Sequence, residues 1–183
     1  MKKTLINKNT IIIILSLMTL FTSCSRDTKD EVVLGKMGLT YDYDDFIIWD
    51  YKFDCPKNWR KVYDPDFSYA NSYTEDIGLW ASNKKFKNTE TSVREFLSYM
   101  SLFRNKYHNK DNNFKILSKS KSNNIEEFSG ELYDDQGEIR KFIGYQYLID
   151  PFITIIFHAE GEGEPIIKVL AARAIKSLRK IDL

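Results

Sequence analysis

The stretch YQYLIDPFITIIFHAEGEGEPIIKVLAARAIKSL, residues 145–178, changes its hydrophobic period partway through. FITIIFHAE, from Phe152, has the length and the β-branched and aromatic content of a strand. Asp150-Pro151 breaks it from the strand before, because proline cannot donate to a ladder and constrains the residue ahead of it. EGEGEP then sets Glu160, Glu162 and Glu164 around two glycines, a flexible turn whose last glutamate falls near a helix N-terminus. Pro165 suits the first helical turn, and Ile166, Ile167, Leu170, Ala171, Ala174, Ile175 and Leu178 make one broad apolar stripe. Arg173, Lys176, Arg179 and Lys180 gather toward the C-terminal end, where the helix dipole favours cations.

Upstream come three more strand candidates in quick succession: FKILSKS from Phe114, NIEEFSGELYD from Asn124 and EIRKFIGYQYLID from Glu138. Asp134-Asp135-Gln136-Gly137 joins the last two as a short hairpin loop whose glycine suits a positive φ. Before them, TSVREFLSYMSLFRNKY (91–107) has helical spacing at Val93, Phe96, Leu97, Met100, Phe103 and Tyr107, with Ser92 and Glu95 as a capping box. YTEDIGLWAS (73–82) reads as a strand with Ile77, Leu79 and Ala81 in phase. PKNWRKVYDPDFSYAN is turn-rich, and Trp59, Val62 and Tyr63 suggest a loop tied down against the core. DFIIWDYKFDCP (45–56) reads as one strand that puts Ile47, Trp49, Tyr51, Phe53 and Cys55 on one face and ends at Pro56. The order of strands, helix, antiparallel strands and helix predicts an α+β domain, a central antiparallel sheet packed by two main helices.

That order, with KFDCPKNW at its start and residues 145–178 at its end, resembles the PsbP-like superfamily. This group includes the photosystem II PsbP subunit, a Ran-binding nuclear import factor and many bacterial lipoproteins. The resemblance covers most of residues 45–180. It implies an α/β/α sandwich that binds or organises protein partners without doing chemistry, and it carries over no catalytic residue.

The leader makes a separate statement. Met1, Lys2, Lys3 and Lys8 form a positive n-region, and Ile11 to Phe21 an apolar h-region of signal-peptide length. A membrane-spanning helix needs roughly 18 or more apolar residues, and this run is shorter and diluted by Ser16 and Thr19. A simple secretory signal would leave Cys24 as a free thiol at the mature N-terminus. Leu20-Phe21-Thr22-Ser23-Cys24 resembles the lipobox of bacterial lipoproteins, in which the cysteine carries a diacylglyceryl group, with palmitate among its acyl chains, and becomes the first mature residue. Several acyl chains give stable anchoring, at about 0.8 kcal/mol per buried methylene. Asp27, Lys29, Asp30 and Glu31 follow, and this acidic-leaning run looks like the surface-export signals of Bacteroidota lipoproteins. The expected organisation is therefore a signal peptide at 1–23, lipidated Cys24 and a tether through 42, and a single domain at 43–183. Coil statistics give the tether a span of about 20 to 25 Å.

Removal of residues 1–23 takes three lysines and leaves 160 residues with 24 basic and 26 acidic side chains, enough chain for one substantial core. That balance argues against nucleic acid, which calls for a basic surplus. The lysine-rich pieces Lys115 to Lys121 and Lys176 to Lys180 read as solvated faces. With Cys24 lipidated, Cys55 has no intramolecular partner and reads as a small buried residue, with no histidine motif to activate it. His108 and His158 lack zinc-ligand spacing. Asp42, Asp44 and Asp45 could collect a hard cation, but the glycine and glutamate of an EF-hand are absent. No nucleophile elbow, P-loop or dinucleotide fingerprint occurs.

The sequence thus predicts a lipid-anchored, non-catalytic protein-binding or assembly module. Its expected place is the outer membrane or cell surface, with a periplasm-facing site as the alternative. No catalytic residue, metal ligand or cofactor is assigned; the one site residue is Cys24. The expected partners are the membrane, through that lipid, and an envelope protein of unknown identity. The alternative class is an envelope hydrolase, or a small-molecule or metal-binding lipoprotein, whose site is assembled only by the fold. An exposed apolar patch would favour the partner; a closed pocket of convergent carboxylates would favour the enzyme.

Overall fold

The computed structural model describes residues 42–72, 76–103, 113–148 and 152–181. The leader, Cys24, the tether as far as residue 41, and His108 lie outside the described residues.

The expected single strand at 45–56 is a hairpin of β1 (Tyr43–Ile48) and β2 (Tyr51–Pro56). Ile48 pairs directly with Tyr51, and Trp49 takes a positive φ of 52° in the turn between them. Phe46, Ile47, Ile48 and Trp49 are apolar at every position, so alternation alone could not locate the turn. Trp-Asp also lacks the Asn-Gly or Asp-Gly cue of a two-residue hairpin. The turn resets the phase: Phe46, Ile48, Phe53 and Cys55 are buried, whereas Ile47 is 49% exposed.

The stretch read as a tied-down loop holds a second hairpin, β3 (Arg60–Tyr63) and β4 (Ser68–Asn71). Trp59 is buried beside it, as a tied-down segment requires. β5 (Ile77–Ser82) follows, then helix α1 (Thr89–Phe103), then β6 (Phe114–Ser122), β7 (Ile125–Tyr133), β8 (Ile139–Tyr147) and β9 (Ile153–Glu160). A 3₁₀ turn at Gly161–Gly163 leads into helix α2 (Glu164–Ser177), and β10 (Arg179–Lys180) closes the described chain. The loop between β7 and β8 forms as expected: Asp134 Oδ1 accepts from the amides of Gln136 and Glu138, and Gly137 has a φ of 83°.

α1 starts earlier than its expected capping box. Asn88 caps it, its Oδ1 accepting from the Thr91 amide at 2.9 Å. Ser92 lies inside the helix, where its hydroxyl donates to the Thr89 carbonyl, and Glu95 bonds Lys84.

The strands form a seven-stranded antiparallel sheet in the order β3-β4-β5-β9-β8-β7-β6 and a three-stranded sheet in the order β1-β2-β10. Successive side chains of a strand point to opposite faces. Val93, Phe96, Leu97 and Met100 of α1 cover the face that carries Trp80, Phe128, Phe142 and Ile156. The other face of β9, from Ile153 to Ala159, is equally buried, and α2 covers it with Ile167, Leu170, Ala171 and Ala174. α2 also touches β2, where Ser177 Oγ accepts from the Asp54 amide and Arg173 Nε meets the Asp54 carboxylate at 3.1 Å. One helix on each face of an antiparallel sheet is the expected α+β sandwich, with the small sheet added beyond α2.

β6 is the long free edge of the large sheet. Lys115, Lys119 and Lys121 and a register shift at Leu117 mark it, and these features discourage edge-to-edge pairing.

Candidate functional site

Two places among the described residues are candidate sites, a buried polar cluster and a surface groove. The first is buried under α1, at the end of the sheet where β5 begins and β9 ends. Arg140 on β8 is 1% exposed. Its Nη2 pairs with Glu160, the residue directly opposite on β9. Its Nη1 lies 2.6 Å from His158 Nδ1 and 3.3 Å from the Asp76 carbonyl oxygen.

A guanidinium has donors only, so His158 Nδ1 accepts and the ring proton resides on Nε2. The Nε2 side faces Gly78, its cross-strand neighbour on β5. A Cβ on Gly78 would stand 2.8 Å from that nitrogen and 3.0 Å from the Tyr69 hydroxyl, so only glycine leaves room. Tyr69 stacks on the imidazole at 5.9 Å and Phe96 of α1 approaches it at 5.2 Å. Each charged group here meets its complement, so the cluster fastens β8 and β9 to the start of β5.

The second place is a groove of about 150 Å³ between the C-terminal half of α1 and the β3–β4 loop with β5 and the segment that follows it. Phe67, Trp80 and Tyr99 form its apolar floor, with Phe67 and Tyr99 edge to face at 4.4 Å. Ser98 and Leu102 of α1 make the wall, and Leu102 is 76% exposed. The Trp80 indole is buried, and its Nε1–H has no acceptor among the described residues.

Asp66, Lys84 and Glu95 form the rim. Lys84 Nζ bonds Glu95 at 2.8 Å and stands 4.0 Å from Asp66. Its pKa is raised, first by the hydrogen bond it donates to Glu95, against some desolvation, and further by the charges of Glu95, Asp66 and Asp64. The rim is thus one ammonium between two carboxylates, with the charge of Asp64 nearby.

Of the candidates singled out in the sequence, His158 and Glu160 come together at the first place, each bonded to Arg140, and those that follow lie at neither. Cys55 is fully buried on β2, and burial pushes its thiol up to about 12, so it holds its proton at any physiological pH. Asp44 pairs with Lys61, and Asp45 with Lys52 and Arg179, so these carboxylates are spent on opposite faces of β1. Glu164 sits in the first turn of α2 between Lys141 and Lys168. Among the described residues no three His, Cys, Asp or Glu side chains converge as a metal site would require, and no helix is long and apolar enough to cross a membrane.

The sequence reading missed the groove and Arg140. Both left a trace. Leu102 is a large apolar residue off the apolar stripe of its helix, and Arg140 falls in phase with Phe142 on a core-facing register.

No family model and no curated protein matches the chain. Among solved structures, the chain is similar to the solution structure of cyanobacterial PsbP (CyanoP) from Synechocystis sp. PCC 6803, with a TM-score of 0.53 and 11% identity over 78% of this chain and 94% of that one. The crystal structure of LpqN, involved in cell envelope biogenesis of Mycobacterium tuberculosis, aligns with a TM-score of 0.38 and 10% identity over 80% of this chain and 94% of that one. The likeness to cyanobacterial PsbP shows the fold, which is PsbP-like.

Proposed function

We propose that this protein is a lipid-anchored envelope module, held to a membrane through Cys24, whose PsbP-like domain binds a protein partner and does no chemistry. The anchor rests on the leader: a basic start, a short apolar run, and Leu20-Phe21-Thr22-Ser23-Cys24. The acidic tether after it supports display at the outer membrane or cell surface.

The observation that carries the binding role is the groove beside α1. Its floor is aromatic and its lip is an exposed leucine, the composition of a surface that holds another protein. The groups a reaction would use are committed elsewhere. Arg140 engages both His158 and Glu160, burial keeps the Cys55 thiol in its protonated form, and Lys84 lies between Asp66 and Glu95.

Affinity isolation from crosslinked envelopes tests the role. The wild-type protein should recover a discrete protein partner from the membrane fraction, and Cys24→Ala should lose both membrane association and most of that recovery. Wild-type protein that recovers nothing above the background of an unrelated lipoprotein would refute the binding role.

A further inference from the structure

We propose that the groove between α1, the β3–β4 loop and β5 docks a protein segment that presents one large apolar side chain flanked by lysine or arginine. The inference rests on the binding role above and specifies its partner.

Size sets the first limit. A groove of about 150 Å³ is well below the roughly 300 Å³ at which pockets begin to hold drug-sized ligands. It suits a single inserted side chain, the form that an interface anchor takes. The floor of Phe67, Trp80 and Tyr99 makes that side chain apolar, and Leu102 at the lip adds apolar surface that an incoming chain would cover.

Charge sets the second. Among the described residues, Asp66 and Glu95 stand on the rim with Asp64 behind them, against Lys84 alone. The ammonium of Lys84 is already bonded to Glu95. A segment entering the groove therefore meets a surplus of carboxylate, which attracts basic flanking residues and repels an acidic peptide or an anionic lipid headgroup. Like-charge juxtaposition at such a rim works against the wrong partner as much as attraction favours the right one.

The rim also has a defined geometry. Asp66 belongs to the loop between β3 and β4, where its amide bonds Asp64 Oδ1 at 3.0 Å, and its carbonyl accepts from Ser82 Oγ at the end of β5. Glu95 belongs to α1. The two carboxylates thus stand on opposite banks, and a segment that crosses the groove between them can offer one basic residue to each.

The test uses the full-length lipidated protein in detergent micelles and three short synthetic peptides. One has a central phenylalanine between basic pairs, one replaces that phenylalanine with alanine, and one replaces the basic pairs with glutamates. The Trp80 indole N–H resonance reports occupancy of the groove. The first peptide should shift that resonance and bind at least about tenfold more tightly than either control. The double variant Asp66→Lys, Glu95→Lys, on one exposed and one half-buried rim position, should abolish that preference with its circular dichroism unchanged. Equal binding of the three peptides, no binding by any of them, or a preference that survives the charge reversal would overturn the proposal.

Envelope isolation separates this failure from failure of the binding role. If wild type and the double variant recover the same partner in equal amount, the partner docks elsewhere and the groove assignment falls alone. If wild type recovers none, the binding role falls and takes the groove assignment with it.

Discussion

Arg140 on β8 donates through Nη1 to His158 Nδ1 on β9 at 2.6 Å, while its Nη2 reaches Glu160 at the sheet end. The guanidinium is buried, and these partners satisfy its two terminal nitrogens, while its Nε–H has no acceptor among the described residues. Breaking one side of a buried pair costs about 3–5 kcal/mol, because the remaining groups keep their desolvation without their compensation. Arg140→Ala should fall in that range by urea denaturation. Adding Glu160→Gln should cost little more, since its partner is already gone. Independent, additive losses from the two changes would show that the residues are not coupled.

Cys55 gives a chemical prediction. Desolvation raises its thiol to about 12, above the ordinary 9.0, so almost none is thiolate at neutral pH. In a Cys24→Ala background, where Cys55 is the sole thiol, labelling by iodoacetamide should be slow in the native protein and fast in denaturant. A native rate equal to the unfolded rate would place Cys55 at the surface. The same shift gives a sign for alkaline stability. The neutral thiol is favoured by the fold, so its contribution is present below the unfolded value and is lost as pH rises through 9.0 toward about 12.

The long, regular elements were legible in the sequence, and the places where local rules compete were not. β6 to β9 and α2 follow their quoted stretches closely, because each has a clear period and a turn or proline at its end. The β1–β2 turn was hidden by four successive apolar residues ending in Trp49. β3 and β4 are each four residues long, too short for a period, and Asp64, Pro65 and Asp66 between them read as loop. Asn88 was passed over as a cap because Ser92 and Glu95 matched the capping-box pattern four residues later, although tertiary bonding of Glu95 to Lys84 decides otherwise. The groove was illegible for a different reason. Phe67, Trp80 and Tyr99 come from three separate elements, and only the sheet order brings them together.

Glu164 should shape the acid limb of stability. Hydrogen bonds from Lys141 and then Lys168 hold its carboxyl down to about 2, from an ordinary 4.5. A depressed carboxylate stabilises the fold above the unfolded value, and that contribution disappears as pH falls from 4.5 toward about 2. The pairs are partly exposed and screened, so the effect should stay within about 1 kcal/mol. Glu164→Gln should flatten the stability profile in that window and weaken it in salt. A profile identical to wild type would show that the pairs contribute nothing in solution.

α2 separates buried from exposed positions. Leu170 faces the sheet and Lys176 faces solvent. Leu170→Asp removes packing and buries a charge, and should cost several kcal/mol, on the order of 3–5. Lys176→Ala should stay within about 0.5 kcal/mol. Similar denaturation midpoints for the two variants would mean that the inward face of α2 has been assigned wrongly.

The proposed anchor at Cys24 would decide where this domain works and what it can meet. Intact-mass and peptide mass spectrometry of the membrane-extracted protein tests it most directly. The account predicts a mature chain that begins at Cys24 and carries the mass of a diacylglyceryl group with its acyl chains, and a Cys24→Ala variant that is missing from membranes but folded. A wild-type chain that retains residues 1–23, or that begins at an unmodified Cys24 and fractionates as soluble protein, would contradict it.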